Sequence, residues 1–577
     1  MKSIILALLG TLFAALSLAQ ERPVPPSSGD PPWWKNALIY EIYPRSFQDS
    51  NGDGTGDLNG ISQRLDYLQT LGVDAIWITP FYPSPQVDFG YDIADYEAID
   101  PQFGTLADFD RLISEAGKRH IRVLLDMVLN HTSNQHPWFI DAASSRTNPK
   151  HDWYVWNDGK LDAAGQRVPP NNWRSIFGGS SWEWVSGVQQ YYYHEFYVQQ
   201  PDLNWRNPQV EQAMFGALQF WLDRGVAGFR LDAVTRLFED PRLRDNPQLP
   251  GLDDLGRPKL QDLYTDNLPE VHGTMRRLRQ MVAKYPGDRV LIGETYLPDT
   301  RALDDWYGGA RHDELQLPMD MQFGFINKLD ADTFRKRLEE IYTQVHGSQP
   351  LLVFDNHDNT RTWERYGDGV HDERIARLLA TLLLTSKATA VLYQGQELGM
   401  RTATPQRKED VRDPVGISNW PTNKGRDGER TPMQWDTSNP QAGFTTNPMP
   451  WLPVQKDYAS INVSSELAAP DSLLNWYRAL IALRHVRPAL HAGSVVLLDR
   501  HNPSVLSYAR VGAHGEAILV ALNMSAVEQT AVLDIRGAGI RGGKFKTLLA
   551  SPAGLAEFQS ARHIELPPFG SWVGVSE

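Results

Sequence analysis

Short apolar runs alternate with amphipathic stretches between Asn36 and Met400. Each run ends in polar residues. The stretches between runs, such as LADFDRLISEAGKRH and QVEQAMFGALQFWLDRG, place apolar residues three and four positions apart, the spacing of an amphipathic helix. Eight runs are present: ALIYEIYPRSF, VDAIWITPFY, IRVLLDMVLNH, VAGFRLDAV, RVLIGETY, LQLPMDMQFG, LLVFDNHDN and ATAVLYQGQELGM. Eight strands alternating with helices predict a (β/α)8 barrel, a TIM barrel of the α/β class.

Charged residues recur where these predicted strands end. In GFRLDAV, Arg230 and Asp232 are two positions apart and therefore share one face of the strand. Other runs end in Asp126, Asn130 and His131, in Glu294, and in His357 and Asp358. A barrel of this class carries its reactive groups at the C-terminal ends of its strands. Because unpaired charges are costly to bury, the set predicts one ligand site, although Asp126 alone could simply brace a neighbouring strand.

Two regions do not follow the alternation of apolar runs and amphipathic stretches. Residues 132–199 are rich in aromatic residues, which in a small insertion more often form its own core than a ligand surface. Beyond the polar loop 401–460, DSLLNWYRALIALRHVRPAL predicts a helix, and SVLSYARV, AILVALNM and TAVLDI predict strands of a small antiparallel β-sandwich. We therefore expect a barrel at 33–131 and 200–486, an inserted domain at 132–199 and a C-terminal sandwich at 487–577.

Composition narrows the range of partners. The 577 residues include 56 Lys and Arg against 70 Asp and Glu, a net charge of −14, which disfavours nucleic acid and anionic membranes as partners. The chain has no cysteine, so disulfides, thiol catalysis and thiolate metal sites are excluded.

The N-terminus has the pattern of an export signal. Lys2 precedes the apolar stretch IILALLGTLFAALSL, and SLA ends at Ala19 with small residues at its first and last positions. We expect residues 1–19 to be a signal peptide cleaved after Ala19 and residues 20–32 to be a linker. The alternative is an uncleaved membrane anchor, but the apolar stretch is shorter than the roughly 20 residues of a membrane span. The mature protein is expected to be secreted or periplasmic, without membrane association.

The chain has three carboxylates at predicted strand ends but no cysteine and no G-x-S-x-G motif. This combination suits a site that cleaves an acetal. One carboxylate attacks the anomeric carbon, and a second, protonated one donates its proton to the leaving oxygen. In a retaining site the two stand about 5 to 5.5 Å apart, a distance that neighbouring barrel strands can supply. An adjacent arginine keeps the nucleophile ionised, and Arg230 beside Asp232 meets that requirement.

The motifs DMVLNH, GFRLDAV, LIGETY and FDNHD, in this order and spacing, resemble the four signature regions of glycoside hydrolase family 13, the α-amylase family. QPDLNW and RDGERTPMQWD resemble its oligo-1,6-glucosidase and α-glucosidase branch. The resemblance extends from about Trp33 onward. It implies that Asp232 is the nucleophile, Glu294 the general acid/base, and Asp358 the third carboxylate that holds the distorted sugar. It also identifies the insertion as domain B, a wall of the pocket.

The same resemblance implies a set of sugar ligands. Arg230, His131 and His357 would bind the sugar in the subsite before the scissile bond. In DFGYD, Asp88 would fix the terminal glucose hydroxyls and Tyr91 would stack on the ring. Arg430 is expected to join Asp88 and close the pocket beyond one sugar, so that single glucose units are released.

The loop DSNGDGTGDL, from Asp49 to Leu58, resembles the first half of an EF-hand. Acidic and amide residues alternate in it before Gly54, although Gly60 stands where an EF-hand has its final Glu. Resemblance to a metal-binding loop of the α-glucosidase branch implies a structural Ca2+ or Mg2+, and the alternative is a glycine-rich turn without an ion. The expected ligands are Asp49, Asn51, Asp53, Thr55 and Asp57, and no organic cofactor is expected.

We therefore expect an exo-acting retaining α-glucosidase for short α-glucosides: maltose and malto-oligosaccharides, with isomaltose and sucrose as further candidates. Ala233, directly after the expected nucleophile, favours α-1,4 bonds by resemblance to maltose-preferring relatives. The alternatives are a transglucosidase or sugar isomerase of the same family, which needs the same catalytic residues and differs in whether water completes the second step. A non-catalytic transport or binding subunit is a more remote alternative, because such chains commonly lose the carboxylates retained here.

Overall fold

The computed structural model describes residues 31–253, 256–345 and 347–577. The expected signal peptide and nearly all of the expected linker lie outside the described residues. Among the described helices, none combines the length and the apolarity that crossing a bilayer requires.

Eight parallel strands form the central sheet, in the order 6-5-4-3-2-1-8-7. Their bounds are β1 Leu38–Ile42, β2 Ala75–Ile78, β3 Arg122–Val128, β4 Gly228–Asp232, β5 Val290–Gly293, β6 Leu317–Pro318, β7 Leu351–Val353 and β8 Thr389–Tyr393. A parallel bridge from Met319 to Leu351 joins the two ends of the sheet, so the predicted barrel is confirmed.

The sixth predicted run differs from expectation. Only Leu317–Pro318 of LQLPMDMQFG is strand, whereas Met321–Gly324 is a short helix. The Asp320 carboxylate accepts hydrogen bonds from the backbone N–H groups of Gln322 and Phe323. This N-cap starts a helix in a run whose apolar residues alone predicted a longer strand.

Helices surround the sheet and bury their apolar faces against it. Local signals start several of them: Thr105 and Asp108 form a capping box, and Asn207 caps a helix that has Pro208 at its first position. The helices that follow the barrel strands are Leu58–Gln63, Leu65–Leu71, Leu106–Lys118, Pro208–Asp223, Glu270–Val282, Thr300–Trp306, Ala331–Gln344, Thr362–Tyr366, Asp372–Thr385, Pro414–Asn419, Val463–Ala468, Leu473–Val486 and Pro488–Ala492.

The insertion after β3 is a small domain with its own core. It contains helix Pro137–Ser144 and a three-stranded sheet of Trp156–Asn157, Gln190–Tyr193 and Trp182–Val185. Short strands Lys160–Leu161 and Arg167–Val168 form a separate hairpin. Trp173, Trp182, Tyr191 and Tyr193 pack together in its interior, so these aromatic residues form a core, as expected for most of the aromatic residues in the insertion.

The C-terminal region is an antiparallel sandwich. Its larger sheet has six strands, Ser494–Leu498, Val505–Val511, Ala517–Asn523, Ser571–Ser576, Lys544–Ser551 and Phe558–Ser560, and its smaller sheet pairs Gln529–Ala531 with Ile564–Leu566. Trp572 and Phe545 are buried between the sheets. This is the fold predicted for the C-terminal region.

Candidate active site

Strand register places the two expected catalytic acids side by side. Leu231 pairs with Gly293 across β4 and β5, so the next residues along the two strands are Asp232 and Glu294. Adjacent strands lie about 4.8 Å apart. Gly228 permits this approach, because a Cβ at that position would stand 2.0 Å from the Val290 carbonyl oxygen.

One guanidinium group bridges the two acids. Arg230 lies 2.6 Å from an Asp232 oxygen and 2.5 Å from a Glu294 oxygen, and its side chain is only 1% exposed. On β3, Asp126 holds the same guanidinium at 3.0 Å, and the Trp77 ring lies 5.1 Å from it. Arg230 is therefore fixed beneath the expected catalytic pair. Asp126 on β3 braces the neighbouring strand β4 through this contact, which is the alternative role that the sequence left open for it.

Burial dominates the electrostatics of the pair. It raises the pKa of Asp232 and of Glu294 to about 7, against the opposing charge of Arg230, and the negative charge of Asp232 adds to the rise at Glu294. The backbone N–H of Ala233 donates a 3.0 Å hydrogen bond to the other Glu294 oxygen. Because adjacent buried acids titrate together, the pair retains one proton over a range of pH around neutrality.

Asp358, in the loop after β7, is surrounded by donors. One of its oxygens accepts hydrogen bonds from Arg430 at 2.7 Å and Arg426 at 3.0 Å, and the other lies 3.2 Å from Nε2 of His357. Burial alone would raise the pKa of Asp358, but these neighbours together hold it well below the usual range. Asp358 is therefore an ionised carboxylate in the cavity that Asp232 and Glu294 also line.

The structure pairs Asp88 with a different arginine from the expected Arg430. Arg426, not Arg430, lies 2.8 Å from Asp88 and lines the cavity with it. Arg430 is fully buried and binds Asp358 and the backbone carbonyl of His357. It therefore holds the third carboxylate in place and does not line the cavity. Burial raises the pKa of Asp88 to about 6, opposed first by Arg426.

Two further expected ligands lie at the cavity surface, and another lies behind it. Tyr91 and His131 line the cavity. His357 is fully buried, with its Nε2 2.7 Å from the Tyr91 hydroxyl. Burial lowers the pKa of both His131 and His357 to about 3, so both are neutral. Gln200, which sequence reasoning did not single out, donates a hydrogen bond to Asp88 at 3.1 Å.

The cavity has a volume of about 400 Å³, and the three acids line it. Domain B contributes Ile176, Phe177 and Phe196 to its wall, and Tyr296 contributes from the loop after β5. Sequence reasoning missed all four, since they occupy loops without a periodic pattern.

Tyr296 continues into a neighbouring groove of about 660 Å³. There its ring lies 5.5 Å from that of Phe325, and both side chains are more than 40% exposed, at 41% and 44%. The cavity therefore opens past an aromatic shelf.

The expected metal loop offers only oxygen ligands. Backbone N–H groups of the loop donate to both oxygens of Asp49, and Asp57 caps helix Leu58–Gln63. Asp49, Asp53 and Asp57 form no ion pair within the described part of the chain. The described residues also include no group of three or more acidic or histidine side chains placed to hold a metal. An ion in this loop would therefore need Asn51 and Thr55 as ligands as well. Carboxylate, amide and carbonyl oxygens are the ligands that suit Ca2+ and Mg2+.

Comparison with known proteins agrees with this geometry. The family model for the alpha amylase catalytic domain matches residues 41–493. A probable alpha-glucosidase of Rhizobium meliloti is 42% identical over 514 residues, covering 86% of this chain and 90% of that protein. An oligo-1,6-glucosidase of Heyndrickxia coagulans is 39% identical over 535 residues, covering 85% and 92%. A solved alpha-glucosyl transfer enzyme is 39% identical with a TM-score of 0.84, covering 95% of this chain and all of that one. The chain therefore belongs to the α-amylase family of glycoside hydrolases.

Proposed function

We propose that this glycoside hydrolase is an exo-acting, retaining α-glucosidase. It releases glucose from the non-reducing end of short α-glucosides such as maltose and malto-oligosaccharides. The observation that carries the proposal is the pair Asp232 and Glu294 on adjacent strands, bridged by Arg230, in a cavity that the Asp88–Arg426 ion pair lines.

The chemistry follows from the single proton of this pair. In the first step ionised Asp232 forms a bond to the anomeric carbon, while the bond to the leaving oxygen breaks and Glu294 gives that oxygen its proton. In the second step Glu294 takes a proton from water, the water oxygen bonds to the anomeric carbon, and Asp232 leaves. Two displacements at one carbon retain its configuration.

Exo-action follows from what lines the cavity. The ion pair between Asp88 and Arg426 is tied further to Asp413, 2.9 Å from the Arg426 guanidinium. Fixed polar groups of this kind bind the hydroxyls of a terminal sugar and leave no passage for a further glucose unit. On the opposite side of the scissile bond, the Tyr296 and Phe325 shelf would contact the apolar face of the leaving group.

The test is product analysis. Purified protein is incubated with maltose, isomaltose, sucrose and trehalose, and the products and the anomer first released are resolved by chromatography and NMR. Release of α-glucose from maltose, absent in Asp232→Ala, supports the proposal. The reducing-end glucose of maltose is already an anomeric mixture, so only β-glucose in excess of that share would exclude retention. No turnover of any substrate by folded protein would favour a binding protein.

A second candidate is transfer of glucose to a sugar or alcohol instead of water. The apolar side chains Ile176, Phe177, Phe196 and Tyr296 at the cavity wall favour it, because they would bind an organic acceptor at the expense of water. The similar alpha-glucosyl transfer enzyme supports the same candidate. New oligosaccharides formed from maltose alone would identify this activity.

We also infer export and a structural cation. Residues 1–19 carry the export pattern, and protein recovered from a secreting host is expected to begin at Gln20. The loop 49–58, whose three carboxylates form no ion pair with any described residue, would hold Ca2+ or Mg2+ through oxygen ligands in a structural role.

A further inference from the structure

Glu41 is a buried acid of the barrel interior that has no arginine or lysine partner in the described ranges of the chain. It lies on β1 and is fully buried. One of its oxygens, Oε1, is 2.6 Å from Nδ1 of His357 and accepts a 3.3 Å hydrogen bond from the His357 backbone N–H. The other oxygen has no hydrogen-bond partner among the described residues. An ionised carboxylate in this position would be costly, because its charge would be neither solvated nor paired.

Charged groups on the neighbouring elements do not change this conclusion. Arg230 on β4 is the cation whose charge acts most strongly on Glu41, but its guanidinium is already bound by three other acids. Asp126 on β3 and Asp358 after β7 are negative and disfavour a further anion. Tyr393 on β8 also faces this region as a neutral phenol, since burial raises its pKa well above the usual range. Burial likewise raises the pKa of Glu41 well above its usual range.

For a neutral His357, the hydrogen-bond chain around the ring favours one arrangement of protons. If Nδ1 carried the proton, the bare Nε2 would face an oxygen of ionised Asp358 at 3.2 Å, which is a repulsive contact. If Nε2 carries the proton instead, it donates to the Tyr91 oxygen at 2.7 Å, and a protonated nitrogen faces the Asp358 carboxylate at 3.2 Å. The Tyr91 hydroxyl is then free to donate to Asp126 at 3.1 Å. Nδ1 becomes an acceptor, and within the part of the chain that the structure describes its one close donor is a protonated Glu41.

We propose that Glu41 is a positioning residue: as a neutral carboxylic acid it donates a hydrogen bond to Nδ1 of His357 and fixes the histidine proton on Nε2, facing Asp358. The Asp358 oxygen opposite the two arginines then lies 3.2 Å from a protonated ring nitrogen. This contact favours an ionised Asp358 in a fixed position, as a preorganised catalytic group requires. The kinetic part of this inference depends on the proposed function, whereas the proton positions do not.

The decisive measurement is the protonation of His357 by 15N NMR. Protein labelled with 15N-histidine is compared with His357→Asn to identify the His357 signals, and couplings to the carbon-bound ring protons distinguish Nδ1 from Nε2. A protonated Nε2 with a bare Nδ1 is the expected result. Protonation of Nδ1, alone or together with Nε2, would overturn the inference, and this measurement needs no activity. Its failure is therefore distinguishable from failure of the proposed function.

Two substitutions test the consequence for turnover. Glu41→Met removes the donor at similar length and is expected to lower kcat on maltose by roughly 10- to 100-fold with little change in KM. Glu41→Gln keeps an N–H donor and is expected to restore kcat to within about threefold of wild type. Equal losses in both variants, or losses confined to KM, would contradict a positioning role.

A matched control is available in Glu397, another fully buried acid. The hydroxyls of Tyr40 and Tyr67 donate to it at 2.7 and 2.6 Å, and none of its hydrogen bonds reaches the catalytic residues. Glu397→Gln is expected to leave the His357 nitrogen signals unchanged. A shift of those signals in the control would mean that buried acids in general disturb the histidine, and would overturn the specific role of Glu41.

Discussion

Arg426 and Asp88 form a 2.8 Å ion pair that joins the loop after β8 to the loop after β2. The same guanidinium also contacts Asp358 and Asp413, at 3.0 and 2.9 Å. One side chain therefore orients carboxylates from three separate loops.

Removing the Arg426 side chain should lower activity by more than the loss of its contact with Asp88 alone would. Arg426→Ala leaves Asp88 and Asp413 buried without their cation, and truncating one partner of a buried charge pair costs about 2–5 kcal/mol. We expect kcat/KM for maltose to fall by roughly 30-fold or more. Arg407→Ala, in the same loop but 69% exposed at its side chain, is the control and should change kcat/KM less than about twofold. Similar losses in both variants would contradict a specific role for Arg426.

The assignment of nucleophile and acid can be tested by chemical rescue. Asp232→Ala should lower kcat by about 10⁴-fold or more, and added azide should give β-glucosyl azide, because the anion displaces the leaving group once from the vacated face. Glu294→Ala should give α-glucosyl azide from an activated substrate, since the glycosyl-enzyme intermediate still forms. NMR of the products distinguishes the anomers, and the opposite pairing of variant and anomer would reverse the roles.

The pH dependence should be bell-shaped. Burial raises the pKa of Asp232 and Glu294 to about 7, and only the form of the pair with one proton is active. As pH falls the pair gains a second proton and loses its nucleophile; as pH rises it loses the last proton and its acid. The kcat/KM for maltose should decline on both sides of a maximum near neutrality. Glu294→Gln, assayed with a substrate that needs no acid, should lose the alkaline decline, and its persistence would assign that limb elsewhere.

Binding of a metal ion should raise the thermal stability of the folded protein. If the loop 49–58 holds Ca2+ only in the folded protein, a concentration of 100 times Kd stabilises it by about 2.7 kcal/mol. Thermal unfolding is measured with added Ca2+, with Mg2+ and with a chelator. Asp53→Ala is expected to abolish the difference, and Asp66→Ala, an exposed acid outside the loop, should preserve it. A midpoint that no cation shifts in wild type would exclude the site.

The placement of the expected catalytic acids side by side was accessible from sequence, because strands impose their geometry on the residues that they carry. A period of two places Arg230 and Asp232 on one face, and parallel register sets Glu294 beside Asp232. Neither rule applies to the loop after β8. Arg426 and Arg430 are four residues apart in irregular backbone, where spacing does not specify a direction. Only the fold determines that the first lines the cavity and the second lies behind it. Phe177 and Phe196 were missed for the same reason.

The ion pair between Asp88 and Arg426 also determines which property of a glucan mixture the reaction rate would follow. A cavity that takes only a terminal sugar makes the molar number of chain ends the effective substrate concentration. At equal mass, a disaccharide offers many ends and a long glucan very few. The rate on a mixture of glucans should therefore rise as another enzyme shortens the chains, even though the total number of glycosidic bonds falls.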